Sequence, residues 1–191
     1  VLRAAWVFDG TDNIPAQADI DNILGRVGWQ HVTWADLRLT MQPGMEVDLG
    51  GIGKEYAVDR CIAMARSATN VPSMINFGGD LAVTGPPVTR EAWKVGIEGP
   101  GVDAAGKRVD LRQGALATSG DARRFLLHDG VRYSHILDPR TGWSVPDAPA
   151  SITVAADTCT QAGMMSTLAM LRGTEAEQFL AAQALLHWCR R

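Results

Sequence analysis

Short apolar or alternating runs occupy most of the chain, and a helical spacing of apolar residues replaces them in four places. The short runs predict strands over residues 31–34, 37–41, 45–48, 73–77, 81–85, 93–98, 109–112, 115–117, 124–128, 131–137 and 151–156. Spacings of three and four predict helices after Pro15, over residues 54–68, after the capping candidates Asp157 and Thr158, and after Thr174. We therefore expect many short strands and four helices.

Turn residues join several of these strands into hairpins. Residues 35–36, 78–80 and 129–130 each stand between two strand segments, and Gly-Gly and Asp-Gly pairs are preferred in tight turns. Strands that are neighbours in the chain are therefore expected to pair in an antiparallel way.

Residues 48–59 (DLGGIGKEYAVD) combine a strand end, a glycine turn and the start of a helix. The glycines allow backbone amides to approach a ligand, and a helix N-terminus beside Lys54 attracts phosphate. A tight strand-to-helix connection without a ligand is the commoner use of such a stretch. The apolar face predicted for this helix consists of Tyr56, Ala57, Cys61, Met64 and Ala65.

Composition narrows the functional classes. The 191 residues suit one domain that buries roughly 70% of its unfolded surface. The net charge is −3 with no long basic run, which argues against a nucleic-acid surface but allows a small anionic ligand. The three cysteines are far apart and predict neither a zinc site nor a disulfide framework. No apolar run approaches the roughly 18 residues of a membrane span.

Two further stretches carry candidate chemistry. Residues 118–121 (TSGD) can cap a helix, which is the commoner use, or hold a phosphate. His135 follows a strand and has Asp138 and Arg140 nearby, so it can serve as an acid or base or contact a phosphate. It can equally be a half-buried histidine bonded to the backbone, and these residues do not decide between the two.

Four segments, in this order, resemble the signatures of the ApbE family: residues 48–54 (DLGGIGK), 76–80 (NFGGD), 118–121 (TSGD) and 135–142 (HILDPRTG). Residues 93–100 and 162–171 are also similar to the family. The resemblance implies an α+β fold class, with antiparallel β-sheet layers packed with α-helices (T-fold-like), in agreement with the predicted hairpins. The chain starts at Val1 without a signal peptide, so we expect residues 1–191 to form one such domain that lacks its N-terminal portion.

Members of the ApbE family are FAD:protein FMN transferases. The resemblance implies that FAD is split at its pyrophosphate, that FMN passes to a threonine hydroxyl of a target flavoprotein, and that AMP is released. It implies catalytic roles for His135 and Lys54. It places contacts with FAD at Asp48, Lys54, Thr118, Ser119, His135 and Ile136.

The resemblance also implies a Mg²⁺ site, from which this sequence departs. Its ligands would include the backbone carbonyl of Gly51 and the side chain of Thr167. The family has an aspartate four residues before that threonine, on the same helix face, whereas this chain has Gly163 there. Asp157 would project from another side of the helix. Because Mg²⁺ needs carboxylate charge to offset its dehydration, we expect Mg²⁺ binding to be weakened.

Two alternative functions stay open at this point. The chain can be an FAD-binding or storage protein with little turnover, since Gly163 removes a metal ligand, or an FAD pyrophosphatase that gives FMN and AMP. The expected partners are FAD and a target flavoprotein, with no nucleic acid. The family implies a periplasmic lipoprotein, so we expect membrane association only through an N-terminal lipid anchor.

Overall fold

A five-stranded antiparallel sheet organises the fold. The structure, a computed structural model, describes residues 2–9, 13–97, 107–121 and 124–191. Its helices are α1 (Gln17–Leu24), α2 (Gly53–Ala68), α3 (Cys159–Met170) and α4 (Ala176–Ala182). Its strands are β1 (Val32–Ala35), β2 (Arg38–Met41), β3 (Met74–Phe77), β4 (Asp80–Val83), β5 (Trp93–Gly96), β6 (Arg108–Leu111), β7 (Gly114–Gly120), β8 (Phe125–His128), β9 (Val131–Ser134), β10 (Ser151–Ala156) and β11 (His187–Arg190).

The central sheet has the strand order β11-β10-β7-β4-β3, and every neighbouring pair in it is antiparallel. Helices α2 and α3 cover one face, where Ala82, Ala117 and Ile152 belong to the main core cluster. On the other face, Leu81 and Leu116 pack with residues of the β5–β6 hairpin. The alternation of side chains along each strand therefore gives the sheet two different environments.

A third cluster attaches α1 and the β8–β9 hairpin to the chain's start. Trp6, Ile20 and Leu126 are buried together, and the indole N–H of Trp6 donates to the carbonyl of Gly142 at 2.8 Å. Gly142 has a φ of +76°, and a Cβ there would lie 2.5 Å from Cγ2 of Ile20. Glycine is required at this turn, because any other residue would combine backbone strain with a clash.

The predicted fold class, α+β with antiparallel sheets, agrees with this architecture. The hairpins expected at residues 35–36, 78–80 and 129–130 are all present. Of the predicted strand 93–98, the part over Trp93–Gly96 is a strand, and residues 98–100 of the resembling segment lie outside the described residues. None of the helices in the described ranges is long and apolar enough to cross a membrane.

Two predictions near the glycine stretch are wrong. Residues 45–48 form no strand, because Asp48 instead accepts a hydrogen bond from the backbone N–H of Gly50 at 2.7 Å. The buried face of α2 carries Glu55, Val58 and Ile62 rather than the predicted set, whose Tyr56 and Met64 are exposed. Helical spacing alone cannot distinguish these faces, because both hold apolar residues three and four apart.

One expectation about element type fails, and one strand was not predicted. Residues 118–120 cap no helix within the described residues, since they form the end of β7 and pair with β10. The last helix ends at Ala182, and His187–Arg190 forms the edge strand β11 against β10. A four-residue edge strand has too short a pattern to be recognised without its partner.

Asp59 of α2 caps α3 from outside that helix. Its carboxylate accepts the backbone N–H groups of Cys159 at 2.8 Å and Thr160 at 2.9 Å. We expect Asp59→Ala to lower the free energy of unfolding by about 2 kcal/mol, because two donors in the first turn lose their acceptor. Urea denaturation followed by circular dichroism measures this value.

The matched control for that experiment is Asp157→Ala, which removes an exposed carboxylate next to the cap residue Thr158. It should change the free energy of unfolding by less than about 0.5 kcal/mol. Equal effects of the two substitutions would contradict the capping role of Asp59.

Candidate functional site

Strand β7 separates the predicted hydroxyl pair onto opposite faces of the sheet. Leu116, Thr118 and Gly120 point to the face away from the helices and line a cavity there. Ser119 points to the face covered by α3 and contacts hydroxyls of that helix. Thr118 and Ser119 therefore lie in two different surroundings, the cavity and the hydroxyl groups of α3.

The cavity beside Thr118 has a volume of about 360 Å³. Its polar lining includes Gly78, Gly79, Thr118, Arg124, His135 and Arg190. The two arginines bring positive charge to this recess, although the chain as a whole has a net charge of −3. Such a recess suits an anionic ligand, because local cations rather than net charge decide what a small site attracts.

His135 stands at the cavity with its ring orientation fixed by the backbone. Its Nδ1 lies 2.9 Å from the carbonyl oxygen of Arg124. A carbonyl only accepts, so Nδ1 carries the proton and Nε2 keeps its lone pair. Burial, and secondarily the charge of Arg124, hold the pKa of His135 below 6.5. The imidazole is therefore neutral at pH 7 and has a basic nitrogen.

Lys54 lies on the helix-covered side and is paired with a buried carboxylate. Its ammonium group donates to Oδ2 of Asp80, whose Oδ1 accepts the backbone N–H of Thr118 at 3.1 Å. Burial lowers the pKa of Lys54, but the hydrogen bond and the charge of Asp80 outweigh this effect and raise the pKa. The lysine is about half exposed, so it stays charged and can reach an anion.

Of the predicted FAD contacts, Asp48, Lys54, Ser119 and Ile136 lie outside the cavity lining found among the described residues, as does Gly51, a predicted metal ligand. Asp48 is exposed, and its hydrogen bond with Gly50 and its ion pair with Arg3 at 3.3 Å lower its pKa. Gly51 is open, with no atom within 4 Å of the position of a Cβ. Ile136 packs against the main core cluster. The structure therefore brings Thr118 and His135 together in the cavity lining, while Asp48 is near enough for the charge of Arg124 to lower its pKa.

Three hydroxyls form a cluster between β7 and α3. Ser119 Oγ lies 2.7 Å from Ser166 Oγ and 2.8 Å from Thr167 Oγ1. The hydroxyl of Ser166 also donates to the carbonyl of Gly163 at 2.9 Å. The predicted metal-binding residue Thr167 is therefore in contact with Ser119, a predicted phosphate contact.

Sequence reasoning did not identify Glu55, which is buried beside this cluster with 6% of its surface exposed. Its Oε2 atom has no hydrogen-bond partner among the residues that the structure describes. Burial, with a smaller effect from the charge of Asp80, raises the pKa of Glu55. The sequence feature that could have indicated Glu55 is its place as a carboxylate in the first turn of α2, which packs against α3 with Gly163.

The residues present fit a cation bound by mixed oxygen ligands. Across the described ranges, no three His, Cys, Asp or Glu side chains converge on one point. Glu55 nevertheless has an unpaired buried carboxylate oxygen, and the hydroxyl cluster includes Thr167. Mg²⁺ is usually held by one or two carboxylates together with waters and substrate phosphates, and this carboxylate and hydroxyl match part of such a ligand set.

The chain is similar to proteins of one family. The sequence model described as "ApbE family" matches residues 1–187. Proteins named FAD:protein FMN transferase from Vibrio cholerae and Salmonella typhimurium are 32% and 31% identical to it over 167 and 174 residues. The matches cover 86% and 87% of this chain but 50% and 49% of those proteins. The chain thus spans about half the length of these curated relatives.

Solved structures show the same architecture. The ApbE protein from Thermotoga maritima has a TM-score of 0.86 at 31% identity, over 98% of this chain and 64% of that one. The apo form of the flavinyl transferase ApbE from Pseudomonas stutzeri has a TM-score of 0.81 at 28% identity, over 93% of this chain and 56% of that one. These similarities confirm the predicted α+β fold class.

The ion pair of Lys54 with Asp80 leads to a stability prediction. In Lys54→Met the carboxylate of Asp80, 3% exposed, loses its charged partner and keeps the Thr118 N–H. We expect the free energy of unfolding to fall by about 2 kcal/mol. This is less than for a fully buried ion pair, because Lys54 is half exposed. Adding Asp80→Asn should recover part of that loss in urea denaturation.

Lys94→Met is the matched control, since Lys94 pairs with Asp110 at 2.7 Å on the surface. An exposed pair contributes about 0–1 kcal/mol. If Lys54→Met cost no more than this control, the Lys54–Asp80 pair would have no structural role.

Proposed function

The chain belongs to the ApbE family, and we propose that it acts as an FAD:protein FMN transferase. The single observation that carries the proposal is the cavity in which His135, Thr118 and two arginines meet, with the Lys54–Asp80 pair joined to it through the backbone N–H of Thr118. The names of the curated relatives support the same activity. The proposed donor is FAD, and the proposed acceptor is a threonine hydroxyl of a target flavoprotein.

The proposed reaction is a phosphoryl transfer at the diphosphate of FAD. The acceptor oxygen attacks the phosphorus of the FMN half, and the bond from that phosphorus to the bridging oxygen breaks. The bridging oxygen leaves with the electron pair as part of AMP. The hydroxyl proton passes to Nε2 of His135, which is the basic nitrogen because Nδ1 donates to the Arg124 carbonyl.

Positive charge around the diphosphate is the main contribution required of the protein in such a reaction. We assign Arg124, Arg190 and Lys54 to this role, since the first two line the cavity and the third has a half-exposed ammonium group. Thr118 would donate its hydroxyl to a phosphate oxygen. Asp48 and Ile136 stay predictions as FAD contacts, as do Ser119 and Gly51 as ligands of phosphate and metal.

Mg²⁺ is proposed as the metal of this site. When bound, it would offset the negative charge of the phosphate oxygens. Thr167 would contribute its hydroxyl, and Gly51 its carbonyl oxygen. Gly163 contributes no side chain, which is the basis of the expected weakening.

The departure at Gly163 favours two alternative functions. The first is an FAD-binding protein with little turnover, and the second is an FAD pyrophosphatase. Weak metal binding would slow transfer, and water would replace the acceptor hydroxyl in the pyrophosphatase. A periplasmic location with a lipid anchor stays a prediction from the family resemblance, and the precursor sequence would test it.

An assay with FAD, MgCl₂ and a threonine-containing peptide tests the proposal. We expect the peptide to gain the mass of FMN while AMP is released in equal amount. His135→Asn should lower the rate by about 10²–10⁴-fold, because it keeps a donor for the Arg124 carbonyl but removes the basic nitrogen. Lys54→Met should lower the rate by about 10²-fold, since it removes charge stabilisation.

Lys94→Met, an exposed residue of β5, is the control and should retain the rate. AMP with free FMN but no modified peptide would favour the pyrophosphatase. Tight FAD binding without AMP would favour the storage protein. Absence of flavin binding would contradict all three functions.

The lowered pKa of His135 predicts the pH dependence of transfer. The base is lost when Nε2 is protonated, which happens as the pH falls through the folded-state pKa. Because burial holds that pKa below the ordinary value of 6.5, the acidic limb of kcat/KM should be centred below pH 6.5. A pH profile of kcat/KM measures this acidic limb.

His135→Asn should lack the limb in the same profile. A limb centred above pH 6.5 would be inconsistent with a buried histidine as the base. A limb that persists in the variant would assign the titration to another group.

A further inference from the structure

A glutamate of α2 fills the space beside Gly163 in α3. A Cβ built on Gly163 would lie 2.6 Å from Cγ, 2.9 Å from Oε1 and 3.0 Å from Cδ of Glu55. Real Cβ atoms do not approach other atoms this closely, so a side chain at position 163 would require the end of the Glu55 side chain to move from its present place. The carboxylate of Glu55 thus lies close to where an aspartate at position 163 would place its own.

This position faces the hydroxyl cluster. Residues 163 and 167 are four apart on α3 and share a helix face. Thr167 in turn contacts Ser119 of β7 at 2.8 Å. The carboxylate from α2 therefore adjoins the same face of α3 as the hydroxyl that the family resemblance assigns to the metal.

The carboxylate also has an unfilled bonding capacity. Glu55 has only 6% of its surface exposed, and within the described part of the chain its Oε2 has no hydrogen-bond partner. A buried oxygen without a partner costs free energy, on the order of 1–3 kcal/mol or more for a charged group. In native structures an ordered water, a ligand or an ion completes most such groups.

The local charge balance favours a cation as that ligand. Lys54 is the neighbouring cation, and its ammonium group is already paired with Asp80. Burial and the charge of Asp80 both act against an ionised Glu55, and the charge of Lys54 does not fully compensate for them. A divalent ion would stabilise the ionised carboxylate and satisfy the orphan oxygen.

We propose that Glu55 supplies, from α2, the carboxylate ligand for a divalent cation that an aspartate at position 163 supplies in the family. The inference rests on the proposed function, because the cation would bind beside the diphosphate of FAD. Lys54 and Glu55 are consecutive, so one turn of α2 would present both the lysine for phosphate and the carboxylate for metal. Gly163 is then the residue that makes room for Glu55, and the site keeps one carboxylate.

Mn²⁺ titration of the whole chain, followed by electron paramagnetic resonance without any flavin, tests the inference. Mn²⁺ accepts the same oxygen ligands as Mg²⁺. We expect the wild type to bind Mn²⁺ and Mg²⁺ to compete for the site. Glu55→Gln, which keeps the shape and removes the charge, should weaken Mn²⁺ binding by at least about tenfold, the loss that even outer-shell changes produce.

Glu175→Gln is the matched control, because Glu175 is exposed in the turn before α4. It should leave Mn²⁺ affinity unchanged. Equal affinity in wild type and Glu55→Gln, or no Mn²⁺ binding by the wild type, would overturn the inference.

Position 163 provides a second, reciprocal measurement. Gly163→Asp alone should not tighten Mn²⁺ binding, because the new side chain displaces the carboxylate of Glu55 from its present place. The double variant Glu55→Ala with Gly163→Asp should restore binding close to that of the wild type. Its failure to bind Mn²⁺ while folded would refute the exchange even if Glu55→Gln proved unstable.

FAD titration by flavin fluorescence distinguishes the two proposals. Glu55→Gln should still bind FAD, since the cavity and Lys54 are unchanged. If the wild type does not bind flavin, the proposed function is refuted. If the wild type binds FAD and Glu55→Gln has unchanged Mn²⁺ affinity, only the role of Glu55 is refuted.

Discussion

The buried carboxylate of Asp80 is the contact on which the arrangement of the site depends. It lies at the start of β4, receives the ammonium group of Lys54 from α2, and accepts the backbone N–H of Thr118 from β7. A buried charge is tolerated only when its partners are in place, so this one residue fixes the first turn of α2 against the sheet. The positions of Lys54 and Glu55 follow from that constraint.

The alternation of side chains along β7 then places its polar residues on the two faces of the sheet. Thr118 lies on the cavity face with His135 and bonds Thr153 at 2.8 Å, while Ser119 meets the hydroxyls of α3. Adjacent residues of a strand necessarily point to opposite faces. A short polar stretch can therefore connect a recess for an anionic ligand with an oxygen cluster suited to a cation. The proposed transferase uses both sides of one strand.

The sequence carried local information well and spatial information poorly. Hairpins, the helix over residues 53–68 and the α+β class were predictable, because turn chemistry and spacing are local properties. The position of Lys54 at a helix start was also predictable. The positions of Arg124 and Arg190 in the cavity lining were not predictable, because no local sequence pattern indicates which distant segments will be neighbours in the fold. The buried face of α2 was misjudged because it includes a charged residue, Glu55.

Glu55 also shows why a departure from a family pattern is ambiguous in the sequence. A motif specifies positions along a chain, whereas a ligand responds only to atoms in space. An aspartate missing from α3 suggests a lost site as long as α3 is considered alone. The opposing helix changes that conclusion, because the empty volume at Gly163 and the carboxylate of Glu55 occupy the same place. A glycine without an apparent role can therefore be the complement of a side chain on another element.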